Sequence, residues 1–412
     1  MKNVFLIGNG FDLHHKLPTK YYDFMCVANY LKSNTLYSPI IAGKIFSKCD
    51  NNKNIKDCYE AHKTTFDGLE IDFKKALEIV DLLDGNLWFN YFWKTLDVDS
   101  GWIDFEKEIS IVITSLNEMI PQDEKTVYLF KDELLPPFIL SNFKFFIDIY
   151  EGMEIYPGDD FDIKDEYLKE YPYSSKIHVA DKKKIFEVLY RQLIDFSEAL
   201  GIYLSCFVEE AFDLLHKDDY TNKHRIKLLN FADEAVSFNY TNTLERFYFN
   251  KKAYHIHGTV ESKNIVLGVN PNELDDSGTD NTSLIKFKKY YQREVFGTAT
   301  EYLRWYRGTI GEELEYRVIT IGHSLDETDK DILADMFNNA KEIYITYYDD
   351  DCKDNYISNI IKIFGNEGYN KFKKEKGMEF ILLSEIEQVK GKIEPIPIEA
   401  FYSDGYDEII PV

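Results

Sequence analysis

The residues of this chain best suited to chemistry fall in four short segments that lie far apart. The first is Gly8-Asn9-Gly10, which follows the apolar run Val4-Phe5-Leu6-Ile7. A glycine turn between a buried strand and a helix presents backbone N–H groups and the positive end of a helix dipole, a common means of holding a phosphate. The full dinucleotide fingerprint would place a third glycine where Leu13 stands, and Asp12 would repel a phosphate. A plain strand-to-helix turn with Asp12 as N-cap fits the same residues. The second segment, Ser237 to Asn242, is expected to end a strand. At the carboxyl end of a parallel strand the amide of Asn239 can hold a water or a ribose hydroxyl, because it both donates and accepts; Asn239 to Asn242 can equally cap a helix beginning at Thr243. The third, His255-Ile256-His257-Gly258, sets two imidazoles on one face of a strand, with the small Gly258 leaving room beside His257. Such a pair suits general-base work or metal binding. The fourth, Gly322-His323-Ser324, follows the run VITI; Ser324 and nearby N–H groups suit phosphate or ribose. Asp326 and Asp329 beyond it read as N-terminal acids of a helix.

A metal-dependent phosphoester hydrolase would use the same residues differently, with His255, His257, His323, Asp12 and Asp329 as ligands, but their spacing matches no metal motif. The five cysteines (Cys26, Cys49, Cys58, Cys206, Cys352) are scattered and include no CxxC pair, so neither a zinc ribbon nor a disulfide framework is expected. Trp88, Trp93, Trp102 and Trp305 read as core residues, and the run Lys288-Lys289-Tyr290-Tyr291 as a solvated helix face. A formal charge of -24 argues against a general nucleic-acid surface, which needs clustered Lys and Arg.

The elements that must position these segments are legible in outline. Short apolar runs predict strands at Val4–Ile7, near 234, 253, 264, 316 and 342, and near 379. Between about 40 and 230 the period changes to that of helices. Trp102, Phe105, Ile109, Val112 and Leu116 form one stripe closed by Pro121; Ile185, Leu189, Leu193, Phe196, Leu200, Leu204 and Val208 form another. The stretch YPGDDFDIKDEYLKEYPYSS between them reads as a surface loop or short elements. The expected organisation is an α/β core with a Rossmann-like parallel sheet built from both chain ends. Residues 1–40 carry its first strand and turn, 41–230 form a mainly helical insertion, 231–350 complete the core, and 351–412 form an extension with helix and strand. The first residues run directly into a strand without a basic leader, and no apolar run reaches bilayer-spanning length, so a cytoplasmic protein is expected.

The blocks IGNGFDLHHKLPTKYYDF, FNYTNTLE, HIHG and GHSLDETD, in this order, resemble the AbiH family of bacterial phage-defence (abortive infection) proteins. Within the insertion, WIDFEKE adds a looser similarity. Lys16 stands where the family's opening usually has Gly. The same blocks are distantly similar to sirtuins, which implies a parallel-sheet fold binding NAD. By that resemblance Gly8, Asn9, Gly10 and Asp12 lie at the first phosphate turn, Pro18 in the nicotinamide-side loop, and Asn239 where ribose or water is positioned. Thr241 stands where sirtuins carry an Asp, next to Asn242; His257-Gly258 matches the catalytic His-Gly; and Gly322, His323 and Ser324 the later Gly-x-Ser turn. The zinc-binding cysteine pairs of sirtuin deacetylases are absent, so the resemblance implies hydrolysis of NAD to nicotinamide and ADP-ribose, with His257 and Asn239 catalytic and no metal. It further implies a phage-derived trigger and restraint by the insertion or by oligomerisation. A nucleotide-binding sensor that recruits a partner without turnover remains an alternative.

Overall fold

The computed structural model describes residues 1–49, 51–96, 104–120, 124–128, 145–147, 160–171, 174–248, 253–269, 284–311 and 314–389. Six strands form one all-parallel sheet: β1 (Lys2–Ile7), β2 (Glu234–Ser237), β3 (Tyr254–His255), β4 (Tyr316–Ile321), β5 (Glu342–Tyr347) and β6 (Glu379–Leu382). Their spatial order is β6-β5-β4-β1-β2-β3. Taken from the β3 edge this is 3-2-1-4-5-6, the order of dinucleotide-binding Rossmann sheets, with the topological switch between β1 and β4. Ile7 lies level with both Ile321 and Ser237, so the three central strands release their following turns at one edge.

The central strands are apolar without interruption because both sheet faces are covered. Val4 and Leu6 pack with Val236, Ile256, Val318, Ile345 and Met336 on one face. Phe5 and Ile7 pack with Phe11, Leu229, Ile319 and Ile321 on the other. The alternation follows from the two-residue period of a strand.

The helices that matter for the site are α1 (Asn9–His14), α2 (Tyr21–Ser33), α3 (Phe105–Met119), α4 (Lys182–Phe207), α5 (Lys289–Phe296), α6 (Lys330–Asn339) and α7 (Asp350–Glu375). The described residues of both predicted stripes are buried. Phe105, Ile109, Val112 and Leu116 of α3, and Leu189, Leu193, Phe196, Leu200 and Leu204 of α4, share one core with Phe24 and Leu31 of α2. Among its described residues the insertion also contains three short antiparallel pairs, two of which draw on the predicted acidic loop through Asp160–Asp162 and Leu168–Tyr171.

Two expectations change. The run Asn264–Val269 is not a strand: the side-chain amide of Gln292 accepts from Leu267 N–H and donates to Leu267 O, both at 2.9 Å, and so replaces a ladder partner. Strand β6 pairs with β5, so the core extends past residue 350 and the extension is partly sheet. Trp102, Pro121 and the chain from residue 390 lie outside the described residues. Among the described residues no helix is long and apolar enough to cross a membrane.

Candidate active site at the carboxyl edge of the sheet

β1 and β4 both end in glycine turns, and these turns rest on each other. Gly8 N–H donates to Ile321 O at 3.0 Å and Gly10 N–H to Gly322 O at 2.8 Å. A Cβ on Gly8 would stand 2.5 Å from His323 Cα, and one on Gly322, whose φ is +66°, 2.2 Å from Phe11 N. The glycines therefore allow two backbones to meet, and neither amide is left for a phosphate. Asn9 and Ser324 remain exposed at the rim; the Thr19 hydroxyl donates to Asn9 Oδ1 at 2.7 Å. Pro18 is buried, and its carbonyl accepts from the Tyr203 hydroxyl of α4 at 2.7 Å. Lys16 has φ +55°, so the backbone keeps a glycine-like path where the family's glycine is missing.

Asp12 is not an N-cap. Gly8 occupies that position, and Asp12 lies inside α1, buried, with Oδ2 accepting from the Thr241 hydroxyl at 2.6 Å. Thr243 in turn donates to Thr241 at 3.1 Å. Burial pushes the Asp12 carboxyl up to about 6, although the hydrogen bonds from Thr241 and Thr243 pull the other way. Asn239 is not a cap either: Nδ2 donates to Gly8 O at 3.1 Å, while Oδ1 is buried without a hydrogen-bond partner among the described residues. An orphaned acceptor there suits a hydroxyl or water. Asn242 does occupy the cap position of the short helix Thr243–Phe247, but its side chain makes no capping bond; its N–H donates to Glu209 Oε1 at 2.8 Å.

The two histidines of HIHG serve different networks, because β3 ends at His255 and the shared strand face ends with it. His255 Nδ1–H donates to Asn239 O at 2.9 Å and Nε2 lies 2.8 Å from Glu245 Oε1. Burial lowers the His255 pKa, but the bond to Glu245 and its charge outweigh burial, and the net shift is upward. With both nitrogens engaged, by Asn239 O and by Glu245, His255 has no ring nitrogen free to act as a base. It lines a cavity of about 900 Å³ together with Asn242, Gly258, Glu209 and Glu261. His257 instead stands with Nε2 3.0 Å from Asp329 Oδ1, its ring edge-on to Phe238. That approach lacks hydrogen-bond alignment. Burial first, then the charge of Lys289, lowers the His257 pKa to about 4 against the pull of Asp329, leaving a neutral imidazole at physiological pH.

Asp329 is the hub of this second network. Lys289 Nζ stands 3.0 Å from its Oδ1 and 2.8 Å from Glu106 Oε2, so the insertion helix α3 reaches the core here. His323 Nε2 stands 3.5 Å from Asp329 Oδ2, and its Nδ1 accepts from Leu325 N–H at 2.8 Å, which places the ring proton on the Asp329 side. Burial opposes ionisation of Asp329, but Lys289 and His257 outweigh it and hold the carboxyl well below the usual range.

Lys288 and Lys289 are each 1% exposed, which overturns the expected solvated helix face: two carboxylates compensate the Lys289 charge inside the protein. Asp326 caps as expected, accepting from Thr328 N–H at 3.0 Å, whereas Asp329 turns inward. Sequence reasoning missed Glu106, Lys289 and the inward role of Asp329; Glu106 and Asp329 lie within WIDFEKE and GHSLDETD, and Lys289 carried no signal. The five candidate metal ligands do not converge, since Asp12 and His255 belong to the first network. Among the described residues no group of three or more His, Cys, Asp or Glu is placed to hold a metal ion.

No curated protein and no solved structure matches the chain. The family described as bacteriophage abortive infection AbiH matches residues 4–349, a span that includes β1 from Val4, all of β2 to β5 and both polar networks. The chain belongs to the AbiH family.

Proposed function

We propose that this abortive-infection protein hydrolyses NAD to nicotinamide and ADP-ribose at the carboxyl edge of its sheet. The observation that carries the reading is His257, buried and neutral beside Asp329 at the edge where Rossmann-order sheets place their ligands. In the reaction, water attacks C1′ of the nicotinamide ribose, the C–N glycosidic bond breaks, and nicotinamide leaves with the bonding pair. His257 takes the water proton, a general-base contribution of roughly 10²- to 10⁴-fold. Asn239 Oδ1, an acceptor without a partner among the described residues, orients the water or a ribose hydroxyl. The pyrophosphate lies over the rim residues Asn9, Thr19 and Ser324 rather than on the amides of Gly8 and Gly10, which are engaged elsewhere. Depletion of NAD on a phage-derived trigger then explains abortive infection.

Nicotinamide release by the purified chain, compared with His257→Ala and Asn239→Ala variants of verified fold, tests the proposal. Release by wild type and its loss in both variants supports it. An inert wild type that binds NAD transfers the reading to a nucleotide sensor, and a chain that neither binds nor cleaves NAD overturns both.

A further inference from the structure

One buried ammonium shared by two carboxylates leaves one negative charge uncompensated. Lys289 lies between Glu106 and Asp329, and the three side chains are 1%, 12% and 9% exposed respectively. Among the described residues the other groups facing Glu106 bring no second cation: Asp104 precedes it at the start of α3, and the hydroxyls of Tyr21 and Tyr240, 3.3 Å apart, add phenols. Tyr21 also stacks on Phe105 with centroids 4.3 Å apart, fixing the start of α3 against the core.

In such a cluster the carboxylate with fewer favourable partners takes up a proton first. Lys289, His257 and His323 all favour the ionised form of Asp329, whereas Glu106 has Lys289. We propose that Glu106 is the group through which this centre exchanges protons, acting on Asp329 and His257 through Lys289, so that the insertion supplies part of the site. Burial, opposed by Lys289, raises the Glu106 carboxyl to about 7. When Glu106 takes a proton from water, Lys289 is left to Asp329, and the negative charge near His257 falls by one unit. His257 then becomes the weaker base. Ionisation of Glu106 restores its basicity, so Glu106 is a positioning residue for the reaction. That catalytic consequence rests on the hydrolase reading, whereas the titration of Glu106 does not.

Thermal unfolding of the full chain and of Glu106→Gln from pH 5 to 9 tests the titration. The folded-state pKa lies above the ordinary 4.5, so the folded chain keeps its proton longer than the unfolded one. Wild type should therefore lose Tm relative to the neutral Gln variant between pH 5 and about 7, and the difference should level off above that. A difference that stays flat across the range overturns the proposal. Should Glu106→Gln fail to fold, infrared titration of a ¹³C-glutamate Glu209→Gln chain reads the same group, because among the described residues Glu209 is the other glutamate raised to about 7. A carboxylate band growing in near pH 7 supports the proposal, and its absence overturns it. Where nicotinamide release is measurable, its rise with pH through about 7 should survive in Glu106→Asp and vanish in Glu106→Gln. A rise that persists in Glu106→Gln overturns the coupling to His257. A chain with no release at all removes the hydrolase reading and leaves the thermal result to decide the role of Glu106.

Discussion

Replacing Gly322 by alanine separates two readings of the glycine turns. If the glycines existed to admit a phosphate, Gly322→Ala would weaken ligand binding and leave the fold intact. The structure argues otherwise. An alanine held at φ +66° costs roughly 1–2 kcal/mol for the left-handed backbone alone. Its Cβ would also lie 2.2 Å from Phe11 N and 2.5 Å from Gly10 C, both backbone atoms at the centre of the sheet edge. Relieving such contacts means moving the β1 turn or the β4 turn by about 1 Å, comparable to overpacking a core at about 1–3 kcal/mol. The expected total of about 2–5 kcal/mol is a large part of the roughly 5–15 kcal/mol that holds a domain folded. Urea unfolding followed by circular dichroism provides the assay, with Gly85→Ala as the reference. Gly85 has a similar φ of +63°, but a Cβ there meets nothing within 4 Å, so that variant isolates the conformational part. If Gly322→Ala loses no more stability than Gly85→Ala, the turn-on-turn argument is wrong and the phosphate reading of these glycines returns.

Two further outcomes follow from the same region. Lys16→Gly should stabilise the chain by about 1 kcal/mol in the same urea assay, because Lys16 sits at φ +55° without the freedom of glycine; a loss would show that the Lys16 side chain has a packing role worth more than the strain. His15 is buried, and burial followed by the nearby His14 lowers its pKa to about 3, so below pH 6.5 the unfolded chain takes up a proton that the folded chain refuses. The wild-type advantage over His15→Gln should therefore shrink by up to about 2 kcal/mol between pH 7.5 and 5, and an advantage independent of pH would contradict the burial of a neutral His15.

The sheet was largely legible because parallel strands must be apolar on both faces, and Val4–Ile7, Val318–Ile321 and Ile343–Ile345 have no other use for such runs. The segment Asn264–Val269 has the same composition yet forms no strand. Its backbone is satisfied by scattered partners, the Gln292 amide at Leu267, His257 O at Val266 N–H and Phe287 O at Val269 N–H, and no local pattern announces that. The site was legible only where its residues sit in the turns after strands. Asn239 and His257 fall there, and both lie at the sheet edge as expected. The division of labour between His255 and His257 was not legible. It depends on β3 ending after two residues and on Glu245, ten positions away, reaching back to the first ring.

Lys289 shows most clearly what a sequence conceals. A lysine next to another lysine and two tyrosines has the pattern of a solvated helix face, and only the convergence of Glu106 from the insertion and Asp329 from the β4 turn makes its burial possible. Such an arrangement is poor evidence for stability, because well-packed apolar residues often serve as well as a buried ion pair or better. Stability alone therefore does not account for charges at this position. The insertion is already attached to the core by the stacking of Tyr21 on Phe105 and by the Tyr203 hydroxyl on Pro18 O, contacts that need no buried charge. What the ion cluster adds is electrostatic: it holds Asp329 ionised beside a neutral His257 and makes that balance depend on an element outside the sheet. Any movement of α3 that withdrew Glu106 would change the charge beside His257 without moving His257 itself. That gives the insertion a physical route to the site which packing contacts alone do not provide.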